Sequence, residues 1–319
     1  MRSTLFVSGS VAALLSVTAC GGMDPGGGDD DIVEATAAFE IQSSDITLQP
    51  GDEFTKCFYF TYPNTEKLAI AKWVSDLTPG SHHMIMFRSL TGDQPADGTV
   101  DDCNGGVAIP MYGTQVQHEE LDFPDDDGFG KPLAQELQSG TQGYFQMHYF
   151  NSTDAPITAH VSIKAFALIP EIAEHVGNYT KTDLFATYNN DIQIPPHAMN
   201  LEISATCPTI DANFWQMSTH SHKQTVDAQV KEGAAMVLES TDWEHPTSAR
   251  FDAPEFFKFA SGEMTWSCTY TNLGENAERT IFAGQSAKTD EMCMATGYYF
   301  PASGPKGCVM DGGQCQCFL

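Results

Sequence analysis

The chain is poor in positive charge: 15 Lys plus Arg stand against 42 Asp plus Glu, a formal net charge of −27 over 319 residues. Such a surface repels nucleic acid and anionic lipid headgroups, so neither is expected as a partner. Past the N-terminus no run of 18 or more apolar residues occurs, and no later segment is expected to cross a bilayer as a helix. Helical periodicity is almost absent, and there is no clear internal repeat. The cysteines lack CxxC spacing. Cys315-x-Cys317 is too short for a thiolate metal site of that type, which favours structural disulfides.

The first residues read as a processing segment. Arg2 and the apolar stretch Leu5 to Leu15 lead into Val17-Thr18-Ala19-Cys20. That ending resembles a bacterial lipobox, in which cleavage precedes a Cys that is then acylated. An ordinary signal peptide with a chance Cys is the alternative; Gly21-Gly22 directly after Cys20 favour lipidation. Residues 1–19 are therefore expected to be a lipoprotein signal peptide. Residues 20–37 are expected to be a flexible tether carrying the GGGDDD run from Gly26 to Asp31. No Asp follows Cys20, so inner-membrane retention is not signalled. The expected location is a bacterial cell envelope, at the outer membrane or cell surface, with membrane contact only through this anchor. Nine cysteines less Cys20 leave eight, and an even number in an exported, oxidising setting reads as disulfides.

The patterning that remains is all-β. Phe54 to Tyr62, Lys67 to Val74, Met84 to Leu90, Tyr144 to Phe150 and His160 to Leu168 are short β-rich runs bounded by turn residues. A second set comprises Leu201 to Cys207, Phe214 to Lys231, Ala235 to Glu239, Phe256 to Ala260, Met264 to Thr271, Thr280 to Ala283 and Gly297 to Phe300. Many short strands with frequent turns suggest sandwiches. Two domains are expected, 38–175 and 176–319, with the boundary placed in a segment that has few apolar runs before Ile192. The turn-rich loop Asp122 to Lys131 is expected to be exposed.

Within this frame the chemistry-bearing residues are His82-His83, His148, His220-Ser221-His222 and Met292. The intervals are 65 residues (83 to 148), 72 (148 to 220) and 70 (222 to 292). Imidazole nitrogen and thioether sulfur together suit copper in both oxidation states, and the soft Met favours Cu(I). His220 and His222, two apart on a strand, point to one face and can reach one metal. His82 and His83 would face opposite ways on a regular strand. Both can bind one ion only at a strand start or bulge, which the preceding Pro79-Gly80-Ser81 permits. Taken singly, each of these residues is more often incidental or packed, and Met292 is one of 13 Met. His118, His160, His175, His197 and His245 are read as surface or packing residues.

The motifs HHM at 82–84, QMHY at 146–149, THSH at 219–222 and DEMC at 290–293 resemble, in this order, the copper type II, ascorbate-dependent monooxygenases. That family includes peptidylglycine α-hydroxylating monooxygenase and dopamine β-monooxygenase. The resemblance covers roughly residues 50–310. It implies two antiparallel β-sandwich, jelly-roll-like domains facing each other across a solvent-filled cleft. It also implies an electron-transfer copper on His82, His83 and His148, and an oxygen-activating copper on His220, His222 and Met292. With ascorbate or a similar one-electron donor and O2, such a pair inserts one oxygen atom into a C–H bond and releases the other as water. Gln146 is implied as a group orienting His148 or its water. Cys268 is implied to pair with Cys293 and Cys207 with Cys308. Cys57 with Cys103 is the expected pair of the first domain, and Cys315 and Cys317 are left unassigned.

Departures from the family bear on substrate. Where the peptide-amidating branch carries an Arg to hold a peptide carboxylate, this chain has Ser218. Where the animal branches carry a Tyr four residues after the Met ligand, it has Thr296, with Met294 between. A buried carboxylate without an Arg partner is costly. The expected substrate is therefore small or apolar and lies near the second site. A non-catalytic copper-buffering lipoprotein on the same fold is the rival expectation.

Overall fold

Alternation of apolar and polar residues builds the strands. In Val161–Leu168 (VSIKAFAL), Val161, Ile163, Ala165 and Ala167 are buried while the residues between them are not. The computed structural model describes residues 35–318, apart from 104, 105, 107, 176 and 210. The signal peptide, Cys20 and nearly all of the tether lie outside the described residues. Among those residues helix is confined to Pro170–Ala173, and the rest is strand and turn.

In the first half, Ala35–Gln42, Val161–Leu168, Leu68–Leu77, Leu133–Leu137 and Thr180–Lys181 form one sheet, with His118–Asp122 added to Leu68–Leu77. Val100–Asp101, Glu53–Thr61, Gln142–Phe150, Ser81–Ser89 and Ala108–Thr114 form another. Phe58, Phe60 and Phe145 of the second sheet meet Ile70, Trp73 and Ile163 of the first in one core. In the second half, Asn213–Ser221, Cys293–Phe300, Asp183–Asn189 and Lys306–Asp311 are the inner strands of a six-stranded sheet. Leu201–Pro208, Glu263–Tyr270, Thr225–Glu232 and Ala235–Ser240 make a four-stranded one, and Phe214, Trp266 and Tyr270 lie in the core of this half.

The two halves also share apolar surface. Leu184, Trp215, Tyr298 and Phe300 belong to the first core. The Phe123 ring lies 5.1 Å from Trp215 and 5.9 Å from Tyr298. Phe123 is thus buried, as are Pro124 and Asp127, while Asp122, Asp125 and the residues from Gly128 to Lys131 are exposed as the sequence implies. Burying one aromatic at the root of a polar loop is enough to anchor it.

Three strand expectations change. The run Phe214 to Lys231 breaks at residues 222–224, where the chain turns between Asn213–Ser221 and Thr225–Glu232. Phe256 to Ala260 makes an isolated bridge at Phe257. Asp183–Asn189, which is not among the expected strands, is a central one, because its neighbours Cys293–Phe300 and Lys306–Asp311 pair with both of its edges.

Cys57–Cys103 and Cys268–Cys293 are bonded. The expected Cys207–Cys308 pair is replaced by Cys207–Cys315 and Cys308–Cys317. Topology explains the difference. The chain reverses after Asp311, so Cys317 stands directly opposite Cys308 across the hairpin Lys306–Asp311/Gln314–Phe318. Cys315, two residues earlier in that strand, is left for Cys207. The 25-residue spacing of Cys268 and Cys293 sets the expected effect of removing that bond. Replacing both by serine should cost about 3 kcal/mol of stability, measured by urea unfolding against the wild type.

Candidate metal centre

The strand Ser81–Ser89 begins immediately after a turn at Gly80. Gly80 has φ +93°, a left-handed backbone that favours glycine, and a Cβ there would press on the Ile157 side chain and the Phe150 carbonyl. Opposite, His148 pairs with His83 but Tyr149 pairs with Ser81, which makes His82 the extra residue of a β-bulge. The bulge solves the adjacency problem posed by the sequence. His82 Nδ1 lies 3.0 Å from His83 Nδ1 and 3.3 Å from His148 Nδ1. Three nitrogens bound to one ion at about 2.0 Å in tetrahedral directions stand about 3.3 Å apart. The convergence therefore fits a single metal.

Hydrogen bonds set the ring tautomers. Glu53 Oε1 lies 2.8 Å from His148 Nε2. A carboxylate only accepts, so Nε2 carries the proton and Nδ1 presents its lone pair to the other two rings. His222 Nδ1–H donates to the Asp290 carbonyl at 3.2 Å, and His220 Nδ1–H to Gln115 Oε1 at 2.5 Å. Gln115 is oriented in turn by donating its amide to the Thr219 carbonyl at 3.0 Å. The Nε2 lone pairs of His220 and His222 are left buried without a partner, as is Nε2 of His82. Buried polar atoms are almost always satisfied. Orphaned lone pairs on two rings of one strand end are what a metal would satisfy, so the donor set fits copper.

Burial, reinforced by repulsion from neighbouring imidazoles, drives His83 and His220 well below the usual histidine pKa. The same causes bring His82 to about 2. Burial brings His222 to about 4, against the pull of the Asp290 carbonyl. These rings are neutral at pH 7, the form that ligates metal.

Met292 is buried just before the strand Cys293–Phe300. Its backbone is fixed from three sides. Tyr270 Oη donates to its carbonyl at 3.2 Å, its own N–H donates to Glu291, and the next residue is clamped to Cys268. Glu291 is wholly buried and also accepts from the backbone N–H groups of His222 (3.1 Å) and Gln224 (2.7 Å) and from Thr225 Oγ1 (3.2 Å). One carboxylate thus ties the His222 turn to Met292. Burial, only partly offset by these donors, pushes its pKa up to about 8.

Two cavities adjoin the histidines. One, ≈400 Å³, has His83, His220 and Met292 in its wall and is otherwise lined largely by apolar side chains such as Ile85, Phe87, Ile109 and Leu184. Gln146, Ser218, Met294 and Thr296 all line it. Ser218 Oγ donates to the Thr247 carbonyl at 3.0 Å. Glu119, also in this wall, accepts from Tyr112 Oη at 3.1 Å. The second cavity, ≈680 Å³, meets His82 and His148 and is edged by polar groups including Glu53, Lys223, Glu275 and Lys288. Trp243 also lines it, its ring 5.1 Å from that of His82. Gln115 and Val116 line both cavities.

The remaining histidines lie outside the ring cluster, although His245 also lines the second cavity. His118, His160, His197 and His245 pair with the surface carboxylates of Asp76, Asp45, Glu278 and Asp242, and His175 is exposed. Sequence reading missed Glu53, Gln115, Trp243 and Glu291. Glu291 had a signal, an acid directly before a candidate ligand. Glu53 had none without the strand register. Glu53→Gln keeps the shape but loses the charge that holds His148. It should weaken copper binding at the three-His set by about 10–100-fold, read by competition with a chelator of known affinity.

Residues 182–317 match the family described as copper type II ascorbate-dependent monooxygenase, C-terminal domain. The match takes in His220, His222 and Met292; the histidines of the first half lie outside it. No curated protein sequence matches the chain. Among solved structures, the crystal structure of the STIV MCP aligns at 8% identity over 82% of this chain and 97% of that one, with a TM-score of 0.34. PNGase F, a glycosylasparaginase from Flavobacterium meningosepticum, aligns at 8% identity over 80% and 96%, with a TM-score of 0.33. Likeness at that level carries nothing about function.

Proposed function

We propose that this chain, whose residues 182–317 belong to the copper type II ascorbate-dependent monooxygenases, hydroxylates a C–H bond of a small or apolar substrate with O2 and a reductant such as ascorbate. One observation carries the reading. The neutral His220 and His222 rings, their tautomers set by Gln115 and the Asp290 carbonyl, present unpartnered Nε2 lone pairs, and His220 borders an apolar cavity whose wall also holds Met292. His82, His83 and His148 would hold one copper, and His220, His222 and Met292 the other. Bound copper would supply the one-electron chemistry that activates O2.

The protein's own residues do the rest. Apolar side chains exclude water from the ≈400 Å³ cavity. Ser218, committed to the Thr247 carbonyl, offers a substrate carboxylate no cation. Glu119 in the same wall would repel one, and a buried unpaired carboxylate is disfavoured. This supports a neutral substrate over a peptide acid. The ≈680 Å³ cavity at His82 and His148 is the more polar of the two and is edged by Glu53, Lys223, Glu275 and Lys288, and we assign the hydrophilic reductant to that face. The disulfides agree with an exported, oxidising setting. The lipobox at Val17 to Cys20 would hold the protein at the cell envelope.

Metal analysis together with ascorbate-dependent O2 uptake, screened against neutral apolar compounds and their carboxylate analogues, tests the reading. Copper bound by both ligand sets, with uptake coupled to a hydroxylated neutral product, is expected. Copper in both sets without product from any compound would replace catalysis by buffering or delivery. Failure to bind copper would remove both readings.

A further inference from the structure

We propose that the cavity beside Met292 is a channel for an elongated amphiphile: one straight apolar chain whose uncharged oxygen head is held by the Tyr188 hydroxyl. The proposal rests on the oxygenase reading above and narrows its substrate. Strand pairing sets the course of the channel. His220 stands opposite Met294, and Ser218 opposite Thr296. On its other side Thr296 faces Ala186, and continuing that register sets Tyr188 opposite Met294. Ala186 pairs in turn with Gly307, and Tyr188 with Val309. Residues paired across strands share a face of the sheet. His220, Met294, Tyr188 and Val309 therefore form one row over four adjacent strands, and all four line the ≈400 Å³ cavity. With strands about 4.8 Å apart, the row spans about 14 Å, and Tyr188 lies about 10 Å from His220.

Side-chain size and polarity then define the occupant. The neighbouring row, Ser218, Thr296, Ala186 and Gly307, carries short side chains and leaves a groove, which Ile85, Phe87 and Ile109 cover from the first half. A cavity at the low end of ligand-site volumes, drawn out over such a span, admits a single slim chain. At its far part Tyr188 Oη accepts from Gln285 Nε2 at 3.0 Å, and its own proton has no acceptor among the described residues. Burial pushes the Tyr188 pKa up to about 12, so at pH 7 the hydroxyl is neutral and can donate to an oxygen head. Neither charge suits that head. Lys306, the one Lys or Arg in the wall, pairs with Phe185 on the opposite face and lays its ammonium 5.9 Å over the Tyr299 ring. Glu119, the one carboxylate there, is bonded to Tyr112 on the first-half side. With the head at Tyr188, the carbons that reach His220 and Met292 lie about 10 Å along the chain. There R–H, O2, two electrons from the reductant and two protons give R–OH and water.

The test titrates the purified, copper-free protein with straight-chain primary alcohols from n-butanol to n-dodecanol by calorimetry. Affinity is expected to rise about threefold to fourfold per added carbon and to level off once the chain fills the row. Tyr188→Phe should weaken n-octanol by about 5- to 10-fold with far less effect on n-octane, which has no oxygen. In the copper-loaded protein supplied with ascorbate, n-dodecanol should be hydroxylated at a fixed position remote from its head. Affinity that ignores chain length would overturn the proposal. So would equal losses of n-octanol and n-octane in the variant, tighter binding of octylamine or octanoate than of n-octanol, or hydroxylation beside the head. Binding is read without copper, so length-dependent affinity without turnover would support the channel and remove only the oxygenase reading.

Discussion

Replacing Met292 by alanine should abolish coupled oxygenation, lowering the rate of hydroxylated product by more than about 100-fold, while the copper on His82, His83 and His148 stays bound. The size follows from its position. Removing a group that merely orients a metal ligand costs about 10–100-fold, and Met292 would be the soft ligand itself, the one that favours Cu(I). Its side chain lies in the wall of the apolar cavity beside His220 and His83, whereas the three-nitrogen group has its own support in Glu53. The scaffold should survive, because Glu291, Tyr270 and the Cys268–Cys293 bond hold the backbone at this position and not the thioether. Copper content, reductant consumption and product are measured together. Unchanged coupled turnover would remove Met292 from the site.

The second large effect is on stability against pH. In the copper-free protein His82, His83, His220 and His222 are neutral well below their unfolded pKa of about 6.5. Unfolding therefore takes up protons at acidic pH. The stability these rings contribute is complete above about pH 6.5 and falls as pH drops through that value toward their depressed folded values. Each ring contributes up to about 1.4 kcal/mol per pH unit. Glu291 acts in the opposite sense, since burial raises it to about 8 and its neutral form is favoured in the fold up to that pH. It offsets about one of the four rings. Urea unfolding of the copper-free protein at pH 7, 6 and 5 should show a steep loss of stability below pH 6.5. A flat profile would mean that these rings are not buried as neutral groups.

The ligand residues were legible in the sequence because metal chemistry restricts residue type, and His220-Ser221-His222 shares a strand face by period alone. His82-His83 was legible only as a problem, with the turn at Gly80 hinting at the bulge that solves it. Glu53 and Gln115 were illegible. Glu53 reaches His148 because Glu53–Thr61 pairs with Gln142–Phe150 in one register, and Gln115 reaches His220 across 105 positions of chain. The Cys207 pairing was misread for the same reason: the hairpin that sets Cys317 opposite Cys308 is a matter of strand register, which cysteine spacing does not encode.

By itself the sequence determined an acidic, all-β, disulfide-bonded chain with five histidines and a methionine suited to copper. Residue type, two-residue alternation and covalent chemistry are local properties, readable one segment at a time. Only the tertiary structure decided that an apolar and a polar cavity flank the histidines, and which carboxylates stand behind which ring. Those facts depend on the register and packing of strands from opposite halves of the chain, where the geometry arises from contacts that no single segment contains.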